Sequence, residues 1–182
     1  MMNGWSRPDN PYNPTGDPRY PLVATTFRLT EHHTAGAMSR NLPWLDELQP
    51  EMFAEIDPLL ARDRGIEDGG WMTIMTERAE IEARAKVTDR MRPLKVDGRL
   101  VHQVALPWHW GYAGSGSTGD AANDLIVLSG DPNVTIEDSK SWSCDVRAGR
   151  RDRQPTERLK GVRADQPAAP DREHPTETPK IR

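Results

Sequence analysis

The stretch Leu22-Val23-Ala24-Thr25-Thr26-Phe27-Arg28-Leu29-Thr30-Glu31-His32-His33-Thr34-Ala35-Gly36-Ala37-Met38-Ser39 sets the reading of the whole chain. Its first part, Leu22 to Arg28, is rich in β-branched and aromatic residues and reads as a strand. The rest does not read as core. A buried strand would not gather a cation, an acid, two histidines and several hydroxyls in so few positions. A loop that receives a phosphate-bearing ligand would. Arg28 can fork onto phosphate oxygens, and threonine hydroxyls and loop N–H groups can donate to the same anion. Gly36 allows close approach of the backbone to a ligand.

Working outward, residues 1–20 carry Pro8, Pro11, Pro14 and Pro18 and read as an extended arm. Pro43 to Leu48 reads as a short helical turn with Trp44, Leu45 and Leu48 on one side. Met52 to Ile56 reads as a strand. Asp57-Pro58 then opens a helix, since Asp caps the orphan N–H groups and Pro suits the first turn. Gly65 ends that helix, and Ile66 can pack back on its last turn. Asp68-Gly69-Gly70 turns into a strand at Trp71–Thr76. Ile81, Ala83, Ala85 and Val87 alternate with Glu82, Arg84, Lys86 and Thr88, which predicts a strand with one buried face. Leu100 to Leu106 reads as one further strand. Residues 111–121 form a loop rich in Gly and Ser, Leu125 to Leu128 is apolar, and Ser143 to Val146 makes a short closing strand.

Many short strands with few short helices predict a β-rich α+β domain. We assign residues 21–147 to that domain and residues 148–182 to a charged, Pro-rich tail. The last 36 residues hold no aromatic and three large aliphatics, Leu159, Val162 and Ile181. That is too little apolar surface to offset ordering entropy, so the tail is expected to be disordered.

The net charge of −4 is uneven. Residues 1–146 carry 14 basic and 22 acidic groups, a balance of −8, while residues 147–182 carry ten basic and six acidic, a balance of +4. An acidic body argues against a nucleic-acid partner, and the mixed tail reads as solvated chain. Cys144 is the one cysteine, so no internal disulfide forms. No apolar run is long enough to span a membrane, and Met1-Met2-Asn3-Gly4-Trp5 does not read as a signal peptide. The expectation is a cytoplasmic chain.

Several motifs then agree in order and spacing with one known family. The run from Thr26 and Arg28 through Glu31-His32 to Gly36, Met38 and Ser39 resembles the C-terminal molybdopterin-dinucleotide-binding domain of the formate dehydrogenase large subunit. Val87-Thr88-Asp89-Arg90-Met91-Arg92-Pro93-Leu94, Pro107-Trp108-His109-Trp110-Gly111 and Ala122-Asn123-Asp124-Leu125 are similar to later motifs of that family. Lys140 falls where the family often has a lysine. The resemblance covers roughly residues 19 to 147. Where many relatives read Glu-His-aromatic-His-Thr, this chain reads Glu31-His32-His33-Thr34.

The resemblance implies a double-psi β-barrel and a cofactor, molybdopterin guanine dinucleotide in the bis-MGD form, with molybdenum or tungsten. It implies that Thr26, Arg28, Leu29, Thr30, Glu31, His32, His33, Thr34, His109, Trp110, Asn123 and Lys140 contact this cofactor. For Glu31, both acceptance from a guanine edge and a structural bond to His32 are open. For His109 the choices are lining the cleft or a structural role, for Asn123 a pterin contact or a cap, for Lys140 a phosphate partner or an exposed cation. His32 and His33 are a poor chelating pair, because neighbours on a strand point to opposite faces. No cysteine or acid completes a zinc spacing around them, and no metal ligand is assigned. The tryptophans read as core and rim residues.

The family's N-terminal cysteine cluster for an iron–sulfur centre, its metal-ligating Cys or Sec and the neighbouring catalytic histidine have no counterparts here. The sequence therefore implies no catalytic residue and an isolated chain that is inactive. It would act with the rest of a formate dehydrogenase large subunit and its electron-transfer subunits. Two other readings are a free-standing pterin- or nucleotide-binding module and a fragment of a nitrate reductase-like enzyme.

Overall fold

A computed structural model describes residues 18–96, 98–111, 119–126, 133–136 and 140–151. Most of the arm expected over 1–20 and of the tail expected over 148–182 lies outside these residues, as does part of the Gly/Ser-rich loop.

The described chain is β-rich. Its strands are β1 (Leu22–Phe27), β2 (Phe53–Ile56), β3 (Trp71–Met75), β4 (Glu80–Val87), β5 (Leu94–Val96), β6 (Arg99–Val101), β7 (Gln103–Pro107) and β8 (Trp142–Ala148). Two short helices, α1 (Pro43–Leu48) and α2 (Pro58–Asp63), and two 3-10 turns, Ser39–Asn41 and Ala122–Leu125, complete it. Six strands close into a barrel in the order β1-β7-β2-β4-β3-β8, with β8 returning to β1. Two pairs are parallel, β1 with β7 and β2 with β4. The expected double-psi barrel is thus a closed six-stranded one.

Alternation along each strand fills the interior. Ala54 and Ile56, Met72 and Ile74, Ile81 and Ala83, Val104 and Leu106, and Trp142, Cys144 and Val146 are all buried. Small alanines sit in one cluster with Trp142, Met72 and the isoleucines. Mixed small and large side chains fill the lumen of a narrow barrel.

Local chemistry explains α2. Asp57 Oδ1 accepts from Leu59 N at 2.9 Å and Leu60 N at 3.1 Å, so the side chain satisfies two orphan donors. At the other end, Gly65 N donates to Arg62 O and Ile66 N to Ala61 O, a Schellman arrangement with Gly65 at φ +62.

Two expectations are corrected. The strand read over Leu100–Leu106 is two strands. Arg99–Val101 pairs with Leu94–Val96 in a separate hairpin, and β7 joins the barrel. His102 occupies the break, its Nδ1 2.5 Å from Asp57 Oδ2. Glu82, expected on the wet face of β4, is 4% exposed. Arg150 Nε and Arg151 N cover it at 3.0 Å each, past the end of β8. In α1, Trp44 and Leu48 face outward while Asp46 is buried.

Candidate functional site

Past β1 the backbone leaves the barrel and forms the loop that the sequence singles out. A cleft of about 490 Å³ is lined by Arg28, Leu29, Thr30, Glu31, His32, His33, Thr34, Ser39 and Leu45. Seven of the expected contact residues therefore share one wall. Ser39 and Leu45 are additions. Ser39 lay within the motif stretch, but its cleft role had no separate signal.

The loop is held from below. His109 is fully buried. Its Nε2 accepts from Leu29 N at 2.8 Å, and its Nδ1 contacts the carbonyl of Thr34. A backbone N–H only donates and a carbonyl only accepts. The ring is therefore neutral, with its proton on Nδ1. Burial pushes the imidazole pKa below its ordinary value, with smaller downward pushes from His32 and Arg28. The Thr34 carbonyl and Glu31 oppose it. His109 thus sits beneath the loop rather than at its surface.

His32 makes a second tie. Its Nε2 donates to Gln49 O at 2.8 Å, and its Nδ1 lies 3.1 Å from Ser39 Oγ, which also accepts from His33 N at 3.0 Å. His32 is 4% exposed and His33 is exposed, so the neighbours do point apart. The Trp110 ring meets His32 edge-on at 5.2 Å.

Gly36 has a use other than the one expected. At φ +78, a Cβ there would lie 2.1 Å from the His109 carbonyl oxygen and 2.7 Å from Arg40 Nε. The close approach is to the protein's own chain, and it clamps the loop onto the segment after β7.

Cations converge beside this wall. Thr26 lies near the end of β1 and Arg28 is the first residue past it. The Arg28 guanidinium carbon lies 4.6 Å from the Trp108 ring centroid and Lys140 Nζ lies 5.8 Å from it. Lys140 Nζ also donates to Thr26 Oγ1 at 2.9 Å. From sequence the tryptophans read together as core and rim residues, with no separate role for Trp108. It is the ring on which two distant cations meet. Asn123 is exposed on the second 3-10 turn and does not line the cleft.

Three buried indole donors, Trp108 Nε1, Trp110 Nε1 and, in the barrel interior, Trp142 Nε1, find no acceptor among the described residues. Buried donors normally have one. Paired cations and orphan donors beside a polar cleft suit an acceptor-rich anion such as a pyrophosphate. Among the described residues, no group of three or more His, Cys, Asp or Glu is placed to hold a metal ion.

The family model for the molydopterin dinucleotide binding domain matches residues 22–143. The chain belongs to this family. Other members give it scale. It is 42% identical over 130 residues to formate dehydrogenase subunit alpha of Megalodesulfovibrio gigas, covering 71% of this chain and 13% of that protein. It is 42% identical over 131 residues to formate dehydrogenase 2 subunit alpha (cytochrome c-553) of Nitratidesulfovibrio vulgaris, covering 72% and 13%. For the formate dehydrogenase-O major subunit of Escherichia coli the identity is 38% over 128 residues, covering 70% and 12%. This molydopterin dinucleotide binding chain therefore spans about 13% of the length of the relatives it matches. Among solved structures, acetylene hydratase from Pelobacter acetylenicus superposes with a TM-score of 0.50 at 16% identity, over 71% of this chain and 18% of that one. At that identity the likeness speaks to fold alone.

Proposed function

We propose that this chain is the cofactor-binding portion of a formate dehydrogenase-type large subunit and grips one molybdopterin guanine dinucleotide by its pyrophosphate. The observation that carries the reading is the meeting of Arg28, Lys140 and the Thr26 hydroxyl at the Trp108 ring, beside the cleft. Two cations held 4.6 Å and 5.8 Å from one ring centroid offer an anion two charged donors from distant parts of the chain. Arg28 supplies a planar fork and Lys140 a point charge, which suits a diphosphate with several oxygens. Glu31, on the cleft wall, can accept from a guanine edge. His109 acts through Leu29 and Thr34 and is a positioning residue. Asn123, exposed on its own turn, keeps its amide available for a pterin edge once the rest of the assembly is in place.

The bound group, in the bis-MGD form with molybdenum or tungsten, supplies the two-electron step of formate oxidation. This chain binds, orients and shields, and it is inactive alone. Its single cysteine cannot build a cysteine-ligated iron–sulfur cluster, so electron relay falls to the rest of the large subunit and to electron-transfer subunits. The proposal keeps the cytoplasmic setting expected from the sequence.

Isothermal titration with guanosine diphosphate tests the grip, since it carries the guanine and pyrophosphate of the cofactor. Arg28→Gln and Lys140→Met should each weaken binding roughly tenfold, the scale of one charge-assisted hydrogen bond. Lys86→Met, whose cation lies 3.6 Å from Asp68, should leave binding unchanged. Affinity indifferent to both site variants, or no binding by the wild-type chain, would refute the proposal.

A further inference from the structure

Helix α1 shows its apolar side to solvent. Trp44 and Leu48 are four residues apart, so they share one face. They are 62% and 67% exposed. The preceding turn adds Met38 at 64% and Leu42 at 38%. Single exposed apolar side chains are ordinary on a protein surface. Four large ones within one short segment are not, and such patches mark contact sites.

The segment is firmly held in this pose. Arg40, in the 3-10 turn that packs on α1, is fully buried, and Asp46 of α1 is buried too. Gln49, just after α1, receives the His32 Nε2 hydrogen bond. Ser39 and Leu45 of the same segment also form part of the cleft wall. The exposed face therefore sits on an anchored segment and borders the cleft.

We infer that Met38, Leu42, Trp44 and Leu48 form the docking face for an apolar surface of the remainder of the large subunit. This rests on the reading above, and it adds which surface closes the assembly. Two observations select that occupant. The relatives are far longer than this chain, which matches 13% of the Megalodesulfovibrio gigas subunit, so in such a polypeptide a large remainder is tethered to the matched segment and available to cover this face. Residues 1–146 also carry a balance of −8, and like-charged bodies resist pairing through this face. A partner seated here also covers the edge of the cleft formed by Ser39 and Leu45, which excludes water from the bound anion.

The test uses the full chain and, as partner, the Megalodesulfovibrio gigas alpha subunit with its matching 130 residues removed. Light scattering after gel filtration gives stoichiometry, and titration gives affinity. The wild-type chain should form a 1:1 complex. The double variant Trp44→Glu/Leu48→Glu should weaken it by about 30-fold or more, as loss of a central aromatic anchor does. Leu59→Glu, which adds charge at an exposed leucine of α2 outside the face, should bind as wild type does. Circular dichroism should show all three chains folded, since the replaced side chains are exposed. The inference is overturned if the double variant binds within about threefold of wild type, if the wild-type chain forms no complex, or if the free chain is a dimer that the double variant splits. Acid extraction of the complex separates the two ideas. A complex that needs Trp44 and Leu48 but releases no guanine nucleotide supports the docking face and sinks the cofactor reading. One that releases nucleotide yet ignores the double variant sinks the docking face alone.

Discussion

Two glycines with the same backbone requirement and different surroundings allow a sharp test of the loop clamp. Gly36 lies at φ +78 and Gly65 at φ +62. Placing alanine in a left-handed conformation costs roughly 1–2 kcal/mol at either position. At Gly65 nothing lies within 4 Å of an added Cβ, so that is the whole cost. At Gly36 the Cβ would lie 2.1 Å from the His109 carbonyl oxygen, which is backbone and cannot swing aside. The loop must then lift. Lifting breaks the Leu29 N–His109 Nε2 bond and the His109 Nδ1–Thr34 contact, at about 0.5–1.5 kcal/mol each. Gly36→Ala should therefore cost about 2–5 kcal/mol and Gly65→Ala about 1–2 kcal/mol. Urea denaturation measures both. At about 2–4 °C per kcal/mol, melting temperatures should separate by several degrees. Gly36→Ala should also weaken guanosine diphosphate binding, whereas Gly65→Ala should not. Equal losses of stability in the two variants would refute the clamp.

Other outcomes follow from single groups. His109 resists protonation in the fold, so stability should be level above about pH 6.5 and fall below it, as the unfolded chain takes up a proton that the folded ring refuses. Nitrogen NMR at pH 7 should show a neutral ring with its proton on Nδ1, and an imidazolium there would contradict this. Cys144 is fully buried and burial drives its thiol pKa well upward, so an aromatic disulfide reagent should label it only after unfolding. Asp57→Ala removes a two-bond cap and leaves His102 Nδ1 without its acceptor, which should cost about 2–4 kcal/mol in denaturation. A loss below about 1 kcal/mol would show that water replaces the carboxylate.

What the sequence discloses and what it hides follows from the range of the interactions. The α2 boundaries were legible because Asp57, Pro58, Gly65 and Ile66 act within one turn of the helix. The barrel was legible through alternation in β4 and through family motifs. The β5–β6 hairpin was missed because three-residue strands carry too little pattern. Helical spacing shows that Trp44 and Leu48 share a side, but it is silent on what that side meets. Glu82 was misplaced because its cover, Arg150 and Arg151, comes from beyond the last strand. In the site, the loop's polar character was plain. The role of Gly36 and the Arg28–Trp108–Lys140 grouping were not, since they join segments far apart in the chain.

Closure of the barrel also dictates an order of assembly. Strand β1 has β7 on one side and β8 on the other, with Leu22 opposite Cys144 and Val23 opposite Gln103. During synthesis, β1 emerges with both edges bare, meets β7 only about 80 residues later and β8 only at the end of the domain. Such distant pairings make folding slow and leave sticky intermediates. A nascent chain of this design can close its barrel only when the last strand arrives.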